Sequence, residues 1–324
     1  MLVDRHNRVV DYLRLSVTDR CDLRCSYCMP ESSACYSAAG DWLSFDEIVR
    51  MAEAFARLGV RRIRVTGGEP LTRARLPELI GRLHAIDGID DLSLSTNGTR
   101  LAAQAAELKR AGVARLNVSL DTLDRREFAR ITGRDCLDDV LAGLDAAAAL
   151  DFRLIKINQV WLPDSSLAEL DRMIDYCRQR GFILRLIENM PMGTAAQAIG
   201  SRSLQSVIRT LQARHGLIDH VLPGGGPARY LCSPDRQFSI GFITPISQHF
   251  CDRCNRVRVT AAGQLQLCLG QENQVDLRPL LRDPNTSLDA IEALIRDAID
   301  RKPLQHDFTT APHKVVRLMS ATGG

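Results

Sequence analysis

Six short apolar segments recur over the first part of the chain, with stretches of helical periodicity between them. Regular alternation of strand and helix is typical of α/β folds, in which helices cover a parallel sheet. Six such units are too few to close an ordinary (β/α)8 barrel. We predict strands at residues 13–18, 62–66, 91–96, 115–120, 154–160 and 183–187.

Helices are predicted between these strands, and the first of them has a recognisable beginning and end. Ser44 followed by Glu47 predicts a capping box, and Gly59 stands where a left-handed residue would end the helix. The predicted helices cover residues 45–58, 76–84, 101–110, 138–150 and 167–180.

The pattern changes after residue 187. A helix at 204–215 is followed by short strand-like runs, which Gly224-Gly225-Gly226-Pro227 interrupts. We therefore predict two domains, an α/β domain over residues 1–216 and a smaller β-rich domain over residues 217–324. The second domain is predicted to contain strands at 217–222, 229–232, 238–244, 256–260 and 265–269 and a helix at 288–302.

Alternate residues of the six predicted strands are polar or cationic. Helices cover the outer face of such a sheet, so that face must be apolar and the polar set is expected to point inward. A closed barrel is filled with Val, Ile and Leu; a cationic lining predicts a wet cavity for a polar anion. The alternative, in which these residues face solvent, would have to hold for all six strands. The set is Arg14, Ser16, Arg64, Thr66, Ser93, Ser95, Asn117, Ser119, Lys156, Asn158 and Arg185.

Composition excludes several classes of protein. Apolar residues make up 45% and charged residues 25% of the chain, which is ordinary for a globular protein. A formal net charge of +3 is too small to indicate nucleic-acid binding. No apolar run reaches the roughly 18 residues of a membrane span, and the N-terminus lacks the pattern of a signal peptide. We therefore expect a cytoplasmic protein that binds neither nucleic acid nor membrane.

The chain contains ten cysteines, which are expected to be reduced in the cytoplasm. Six of them fall into two tight groups. The other four are interpreted as small hydrophobic residues, the common role of an isolated cysteine: Cys35, Cys136, Cys177 and Cys232. Four histidines, His215, His220, His306 and His313, are interpreted as ordinary surface residues.

The N-terminal cysteine group, Cys21-x3-Cys25-x2-Cys28, lies in a long loop after the first predicted strand. That is the end of the sheet where β/α folds place their active sites. Three thiolates can hold three corners of a four-iron cluster and leave the fourth iron open. A structural zinc site is the alternative, but it requires a fourth ligand, and neither His6 nor His84 is close in sequence.

The C-terminal cysteine group is Cys251-x2-Cys254-x13-Cys268. Its spacing is equally consistent with a zinc ribbon completed by His249. Arg256 and Arg258 follow as alternate residues of one strand and should share a face. Two guanidinium groups beside a metal site favour an anionic ligand over a purely structural role.

The N-terminal cysteine group, with Tyr27 before its last cysteine, resembles the radical S-adenosylmethionine (SAM) enzymes. Thr66-Gly67-Gly68-Glu69-Pro70 resembles the glycine-rich turn of that superfamily, where the backbone approaches SAM closely. The resemblance implies an incomplete (β/α)6 TIM-type barrel with a smaller β-rich C-terminal domain. It also implies a [4Fe–4S] cluster whose open iron binds SAM.

Both cysteine groups together resemble one family of the superfamily, the GTP 3′,8-cyclases of molybdenum cofactor biosynthesis. The similarity covers nearly the whole chain. The motifs are Leu13-Arg14-Leu15-Ser16-Val17-Thr18-Asp19-Arg20-Cys21, Cys28-Met29-Pro30, Ser95-Thr96-Asn97-Gly98, Asn117-Val118-Ser119-Leu120-Asp121, Lys156-Ile157-Asn158, Cys251-x2-Cys254-Asn255-Arg256-x-Arg258 and Gly323-Gly324. The sequence departs from the family pattern at two places. Ser95 stands where relatives have Thr, and Ile187-Glu188-Asn189-Met190 lacks the usual apolar residue before Met190.

The resemblance implies a role for each matching residue. SAM contacts are implied at Tyr27, Gly68, Ser119 and Met190. GTP contacts are implied at Arg14, Arg64, Ser95, Lys156, Arg185, Arg256 and Arg258. A [4Fe–4S] cluster is implied on each cysteine group, and Gly323 and Gly324 are implied to enter the active site.

In the implied reaction, a SAM-derived 5′-deoxyadenosyl radical removes hydrogen from C3′ of GTP, and C3′ then bonds to C8 of guanine. The implied partners are an electron donor and a downstream cyclic pyranopterin monophosphate synthase, while monomer and homodimer both stay open. Two alternatives are a radical SAM enzyme acting on a peptide or another small molecule and a non-catalytic protein with two zinc sites.

Overall fold

The computed structural model describes residues 1–29, 36, 38–222 and 225–323. Twelve strands in these residues form one sheet. They are β1 (Tyr12–Ser16), β2 (Arg62–Thr66), β3 (Asp91–Thr96), β4 (Arg115–Ser119), β5 (Leu154–Trp161), β6 (Ile183–Glu188), β7 (Ile218–His220), β8 (Arg229–Cys232), β9 (Ser239–Ile243), β10 (Arg256–Val259), β11 (Gln264–Gln266) and β12 (Gln274–Asp276).

Eight neighbouring strands of the sheet are parallel, in the order β10-β1-β2-β3-β4-β5-β6-β9. Antiparallel strands extend both ends, β11 and β12 beyond β10, and β8 and β7 beyond β9. The α/β fold with a parallel sheet is therefore confirmed. Parallel pairing brings the carboxyl ends of eight strands to one side, which is where α/β enzymes carry their sites.

Eleven α-helices lie in the described ranges, and most connect one parallel strand to the next. They are α1 (Phe45–Arg57), α2 (Leu76–His84), α3 (Leu101–Arg110), α4 (Arg125–Thr132), α5 (Leu137–Ala148), α6 (Leu167–Arg180), α7 (Gly193–Ile199), α8 (Gln205–His215), α9 (Arg278–Arg282), α10 (Leu288–Asp300) and α11 (Met319–Thr322). The predicted capping box is present at the start of α1, where Ser44 and Glu47 exchange hydrogen bonds.

The apolar core lies between the sheet and the helices. Leu13 and Leu15 of β1 are fully buried, as are Ile63 and Val65 of β2, and the other parallel strands repeat this alternation. Burial of such side chains is worth about 1.5–3 kcal/mol each, so it fixes which face each strand turns to the helices. The polar residues between them are left on the opposite face.

The C-terminal part of the chain joins the same sheet. β9 pairs in parallel with β6, and β10 pairs in parallel with β1. The β-rich character predicted beyond residue 216 is confirmed, whereas the division into two domains at that residue stays a prediction. The sequence analysis missed four helices and one strand, all of them short: α4, α7, α9, α11 and β12.

The described end of the chain runs through a short 3-10 helix at Pro312–Lys314 and then α11. Gly323, directly after α11, lies against Ser16 of β1, Thr66 of β2 and Arg258 of β10. Among the described residues, no helix is both long enough and apolar enough to span a bilayer.

Candidate active site

One cavity lies against the polar face of the sheet, and all six cysteines of the two groups line it. The sequence predicted that eleven polar residues of the strands point inward, and the lining confirms this for seven of them. Ser16, Ser93, Asn117 and Lys156 do not line the cavity. Seven of the predicted inward residues line the cavity: Arg14, Arg64, Thr66, Ser95, Ser119, Asn158 and Arg185. The two cysteine groups, far apart in sequence, therefore share one cavity.

A row of three arginines crosses the sheet beside this cavity. Arg14 of β1 stands in register with Arg258 of β10 on one side and Arg64 of β2 on the other. Neighbouring strands are about 4.8 Å apart, so three guanidinium groups are held on adjacent positions of one face. We call these three residues the cationic row. All three line the cavity, and none is the solvated surface charge that an arginine usually is.

Burial and mutual repulsion destabilise the charge of these cations. Burial, with Arg258 and Arg64 adding repulsion, lowers the pKa of Arg14 well below its usual value. Burial, followed by repulsion from Arg256, lowers the pKa of Arg258 to about 10. Cations crowded in this way are expected to be stabilised by a bound anion, because an opposite charge at close range favours the charged form.

Arg185 and Lys156 extend the positive field along the sheet. The Arg185 guanidinium donates to Oδ1 of Asn117 at 2.5 Å, and its Nε has no partner among the described residues. Burial, followed by repulsion from Arg64, lowers the pKa of Arg185 to about 10. Lys156 is buried but does not line the cavity, because its ammonium donates to the hydroxyl of Tyr230 at 3.0 Å. Burial, with Arg185 repelling it, lowers the pKa of Lys156 to about 7.

Carboxylates surround the N-terminal cysteine group. The Tyr27 hydroxyl donates to Oδ2 of Asp121 at 2.7 Å, and Oδ1 of the same side chain accepts from the backbone N–H of Val160. Asn97 donates to Asp22 at 2.7 Å and approaches the sulfur of Cys21 at 3.8 Å. These contacts attach the cysteine loop to the ends of β3, β4 and β5.

The free thiols of this group resist ionisation. Burial, reinforced by Glu69 and Asp22, raises the pKa of Cys21 to about 11. Burial, reinforced by Cys21 and Asp121, raises the pKa of Cys28 to about 12. Thiolates bind metal and thiols do not, so a strong positive centre is required to deprotonate the group.

The donor chemistry of both cysteine groups fits an iron–sulfur cluster. Thiolates are soft ligands that select iron–sulfur clusters, zinc or Cu(I). Each cysteine of a four-iron cluster binds a different iron, so three sulfurs need not meet at one point. Within the described ranges, no three His, Cys, Asp or Glu side chains converge as the ligands of a single metal ion.

The C-terminal cysteine group lies among cations. The buried Lys302 donates to the backbone oxygen of Leu267 at 2.5 Å. Burial alone would raise the pKa of Cys254, but Lys302 and Arg256 outweigh it, and that pKa is lowered. Arg8 donates to the backbone oxygen of Cys251 at 2.9 Å.

The glycine-rich turn packs tightly against the loop that carries the N-terminal cysteine group. A Cβ on Gly68 would collide with the backbone oxygen of Arg20, and the N–H of Gly68 donates to Thr18 at 2.8 Å. Only glycine fits such a close backbone approach. Ser119 and Met190, the other predicted SAM contacts besides Tyr27, also line the cavity.

The C-terminal tail reaches both regions of the cavity. Ser320 lines the cavity and its backbone favours the thiolate form of Cys28, whose pKa burial raises overall. The backbone oxygen of Gly323 accepts from Arg258 at 2.5 Å. Gly323 has φ +77°, and a Cβ there would lie 2.9 Å from Oγ of Ser16 and closer still to Thr66. Gly324 lies outside the described residues, as does Cys35.

The structure adds site residues that the sequence analysis missed or misread. His306 was interpreted as a surface residue, but it is buried and its ring Nε2 donates to the oxygen of Pro245 at 2.8 Å. It lines the cavity, as do Glu188 and Lys302. A histidine or lysine outside any motif gives no local sequence evidence that it belongs to a site. Asp121 differs, because it ends the motif Asn117-Val118-Ser119-Leu120-Asp121 and could have been predicted as a site residue.

Two family models match successive parts of the chain. The family model of the Radical SAM superfamily matches residues 15–177, and that of Molybdenum Cofactor Synthesis C matches residues 182–308. The chain is 45% identical to a GTP 3′,8-cyclase of Ectopseudomonas mendocina, over 100% of this chain and 98% of that one. It is 44% identical to GTP 3′,8-cyclase 1 of Pseudomonas aeruginosa, over 99% of both chains.

Solved structures show the same architecture at low sequence similarity. The structure of Streptococcus suis SuiB bound to S-adenosylmethionine matches with a TM-score of 0.62 at 16% identity, covering 90% of this chain and 69% of that one. At this identity the similarity concerns the fold alone.

Proposed function

The chain belongs to the GTP 3′,8-cyclase family of radical SAM enzymes, and we propose that it converts GTP to (8S)-3′,8-cyclo-7,8-dihydroguanosine 5′-triphosphate. The product would serve molybdenum cofactor biosynthesis. The observation that supports this most directly is the cationic row, placed in one cavity with both cysteine groups.

The cationic row suits a triphosphate. The sequence contains no Gly-x4-Gly-Lys-Ser/Thr loop, so phosphate binding falls to side chains. Arginine forks pair with phosphate oxygens through two parallel hydrogen bonds. We propose that Arg14, Arg64 and Arg258 hold the triphosphate, and that Ser95, Arg185 and Arg256 make further GTP contacts. Lys156 does not line the cavity, so it would contact GTP only after releasing the Tyr230 hydroxyl.

The same charges argue against the alternative of a peptide-modifying enzyme. A neutral peptide would add no negative charge to offset the repulsion among the buried guanidinium groups, which is strong in a low-dielectric cavity. An anion with several phosphate groups compensates them together.

The N-terminal cysteine group would hold a [4Fe–4S] cluster through Cys21, Cys25 and Cys28. When bound, the cluster and SAM supply the one-electron chemistry that removes hydrogen from a carbon atom. We propose that Tyr27, fixed by Asp121, and the backbone of Gly68 position SAM together with Ser119 and Met190.

The C-terminal cysteine group would hold a second [4Fe–4S] cluster through Cys251, Cys254 and Cys268. Lys302 and Arg256 favour the thiolate form of Cys254, which is the form that binds iron. Phe250 and Phe308 add apolar surface to the lining nearby and help to keep water from the reacting atoms.

The tail and the remaining partners complete the proposal. We propose that the tail with Gly323 and Gly324 enters the active site, because a side chain at Gly323 has no room beside Thr66 and Ser16. Residues 1–216 would bind SAM, and residues 217–324 would carry the second cluster and the tail. An electron donor and a downstream cyclic pyranopterin monophosphate synthase are the proposed partners.

The test is anaerobic reconstitution followed by incubation with reductant, SAM and GTP, with the nucleotide product identified by mass spectrometry. We expect the cyclised nucleotide, 5′-deoxyadenosine formed in step with it, and about eight irons per chain for two clusters. Deoxyadenosine formation that does not depend on GTP would contradict the cyclase assignment in favour of another radical SAM activity. Zinc as the only bound metal would exclude radical chemistry altogether.

A further inference from the structure

Glu188 is a fully buried carboxylate at the end of strand β6, and it lines the cavity. Its Oε2 accepts the backbone N–H groups of Ile246 and Ser247, each at 3.0 Å. Its Oε1 accepts the Ser247 hydroxyl and the backbone N–H of Leu204, the latter at 3.1 Å. A carboxylate has about four lone-pair sites, and all of them are used. Glu188 is therefore committed to the protein and is not free to bind substrate.

The segment that Glu188 holds leads to the C-terminal cysteine group. Residues 245–247 follow β9, and the oxygen of Pro245 accepts from the ring of His306 at 2.8 Å. The backbone of His306 favours the thiolate form of Cys251, although burial raises the pKa of that thiol overall, and both residues line the cavity. Glu188 thus holds Ile246 and Ser247 of this segment. His306 connects Pro245 of the same segment to the C-terminal cysteine group.

Glu188 also belongs to the part of the cavity that is proposed to bind SAM, which we call the SAM side. Glu188 precedes Met190 by two residues, and the intervening Asn189 donates to the backbone oxygens of Ala196 and Gly200. The pairing of strands β6 and β9 ends at Ile187 and Ile243. Glu188 is the next residue of β6, and its side chain accepts hydrogen bonds from the segment that follows β9.

We propose that Glu188 is a positioning residue that sets the C-terminal cysteine group at a fixed place relative to the SAM side of the cavity. The inference rests on the proposed function, because it assigns a cluster to that cysteine group. Buried charge-assisted hydrogen bonds from backbone groups of another element are strong and directional. Loss of this anchor should therefore displace residues 245–247 and the adjoining cysteines.

Glu69 provides a matched control on the other side of the cavity. It is also fully buried, and it accepts the backbone N–H groups of Leu71 and Asn97 and the hydroxyl of Thr96. Its partners adjoin the N-terminal cysteine group. Glu188→Gln and Glu69→Gln make the same isosteric change, in which an NH₂ replaces one acceptor oxygen.

The first measurement is hydrogen–deuterium exchange on the metal-free full-length chain, which needs no cluster. Glu188→Gln should speed exchange of the Ile246 and Ser247 amides about 10-fold and leave those of Leu71 and Asn97 unchanged. Glu69→Gln should do the reverse. Unchanged protection of the Ile246 and Ser247 amides in Glu188→Gln would overturn the proposal. The proposal would also fail if Glu188→Gln reduced the protection of the Leu71 and Asn97 amides as much as that of Ile246 and Ser247.

The second measurement is iron content after reconstitution. It uses two parent proteins, which we call backgrounds, and in each of them the cysteines of one group are replaced by alanine. Glu188→Gln should lose at least half of the iron held by the C-terminal group and none of that held by the N-terminal group. Equal loss in both backgrounds, or in neither, would contradict the proposal. If the parent protein without the N-terminal group binds no iron, the two-cluster proposal fails, while the exchange experiment still decides the role of Glu188.

A milder variant decides the question if Glu188→Gln does not fold. Ser247→Ala removes one donor to Glu188 and keeps the carboxylate. It should speed exchange of the Ile246 and Ser247 amides by a smaller factor and lower iron only on the C-terminal group. Wild-type exchange and wild-type iron in Ser247→Ala would then overturn the proposal.

Discussion

The two cysteine groups have the same ligands and opposite surroundings. Glu69, Asp22 and Asp121 raise the pKa values of the N-terminal thiols beyond the effect of burial. Around the C-terminal group, Lys302 and Arg256 lower the pKa of Cys254 against the effect of burial. Cations also oppose burial at the other two cysteines, Arg8 at Cys251 and Lys302 at Cys268, but there burial prevails and the pKa is raised. A motif of three cysteines therefore does not determine the electrostatics of the site that it forms.

The difference matches the two tasks proposed for the cavity. Reduction adds negative charge to a cluster, and net charge nearby tunes its potential. Carboxylates near the N-terminal group therefore favour a strong electron donor, as SAM cleavage requires. Cations near the C-terminal group are continuous with the cationic row and favour an anionic substrate.

The largest expected effect comes from removal of one ligand from each group. Cys28→Ser should abolish both 5′-deoxyadenosine formation and cyclisation, whereas Cys268→Ser should abolish cyclisation and leave SAM cleavage measurable. Both products are quantified by chromatography and mass spectrometry. Cys232→Ala, at a buried cysteine outside both groups, is the control and should keep both activities. Identical defects in the two ligand variants would remove the proposed division of labour.

The next effect concerns the tail, which touches both regions. Gly323→Ala should reduce cyclisation to background while both clusters remain, because the methyl group would collide with Thr66 and Ser16. Gly181→Ala is the control, since Gly181 also has positive φ (+67°) but faces open space. It should cost about 1 kcal/mol of unfolding free energy and no activity. Full cyclisation by Gly323→Ala would show that the tail has no part in the site.

A smaller effect is expected from the cationic row. Arg258→Ala should weaken GTP binding about 10- to 100-fold, because a hydrogen bond to a charged group is worth about 1.5–3 kcal/mol. SAM affinity should stay unchanged, and both constants can be measured by calorimetry. Arg57→Ala removes a guanidinium whose side chain is 52% exposed, in a surface ion pair, and should change neither affinity. Equal weakening of SAM and GTP would argue against a separate triphosphate site.

The smallest effect tests the pKa difference directly. At neutral pH a lower thiol pKa means a larger thiolate fraction, so alkylation of the metal-free protein should be faster at Cys254 than at Cys28. Lys302→Met should raise the pKa of Cys254 and slow its alkylation about 3- to 10-fold. The rate at Cys28 is the internal control and should not change. Equal rates at Cys254 and Cys28 in the wild-type chain would contradict the electrostatic contrast.

Local patterns predicted most of the fold. The bounds of β2, β3, α2, α3 and α6 agree with the prediction residue for residue. Strand alternation and helical periodicity depend on which side chains must be buried, and that information is local. Short elements such as α4 and β12 were missed because a few residues carry too little periodicity.

The site was predicted only where its residues lie in motifs. The cysteine groups, the glycine-rich turn and the strand cations could be read from spacing and alternation. Lys302, His306 and Glu188 could not, because each acts through partners far away in sequence. Lys302, for example, donates to Leu267, and Glu188 accepts from Ile246 and Ser247.

The sequence by itself determined the ligand types, the α/β order of elements and the polar face of each strand, because these follow from residue chemistry and period. Tertiary structure alone decided that β10 pairs with β1 and that Arg258 therefore stands beside Arg14. It also decided which charges surround each cysteine group. Register and through-space electrostatics depend on distances between chain segments, and no local pattern encodes those distances.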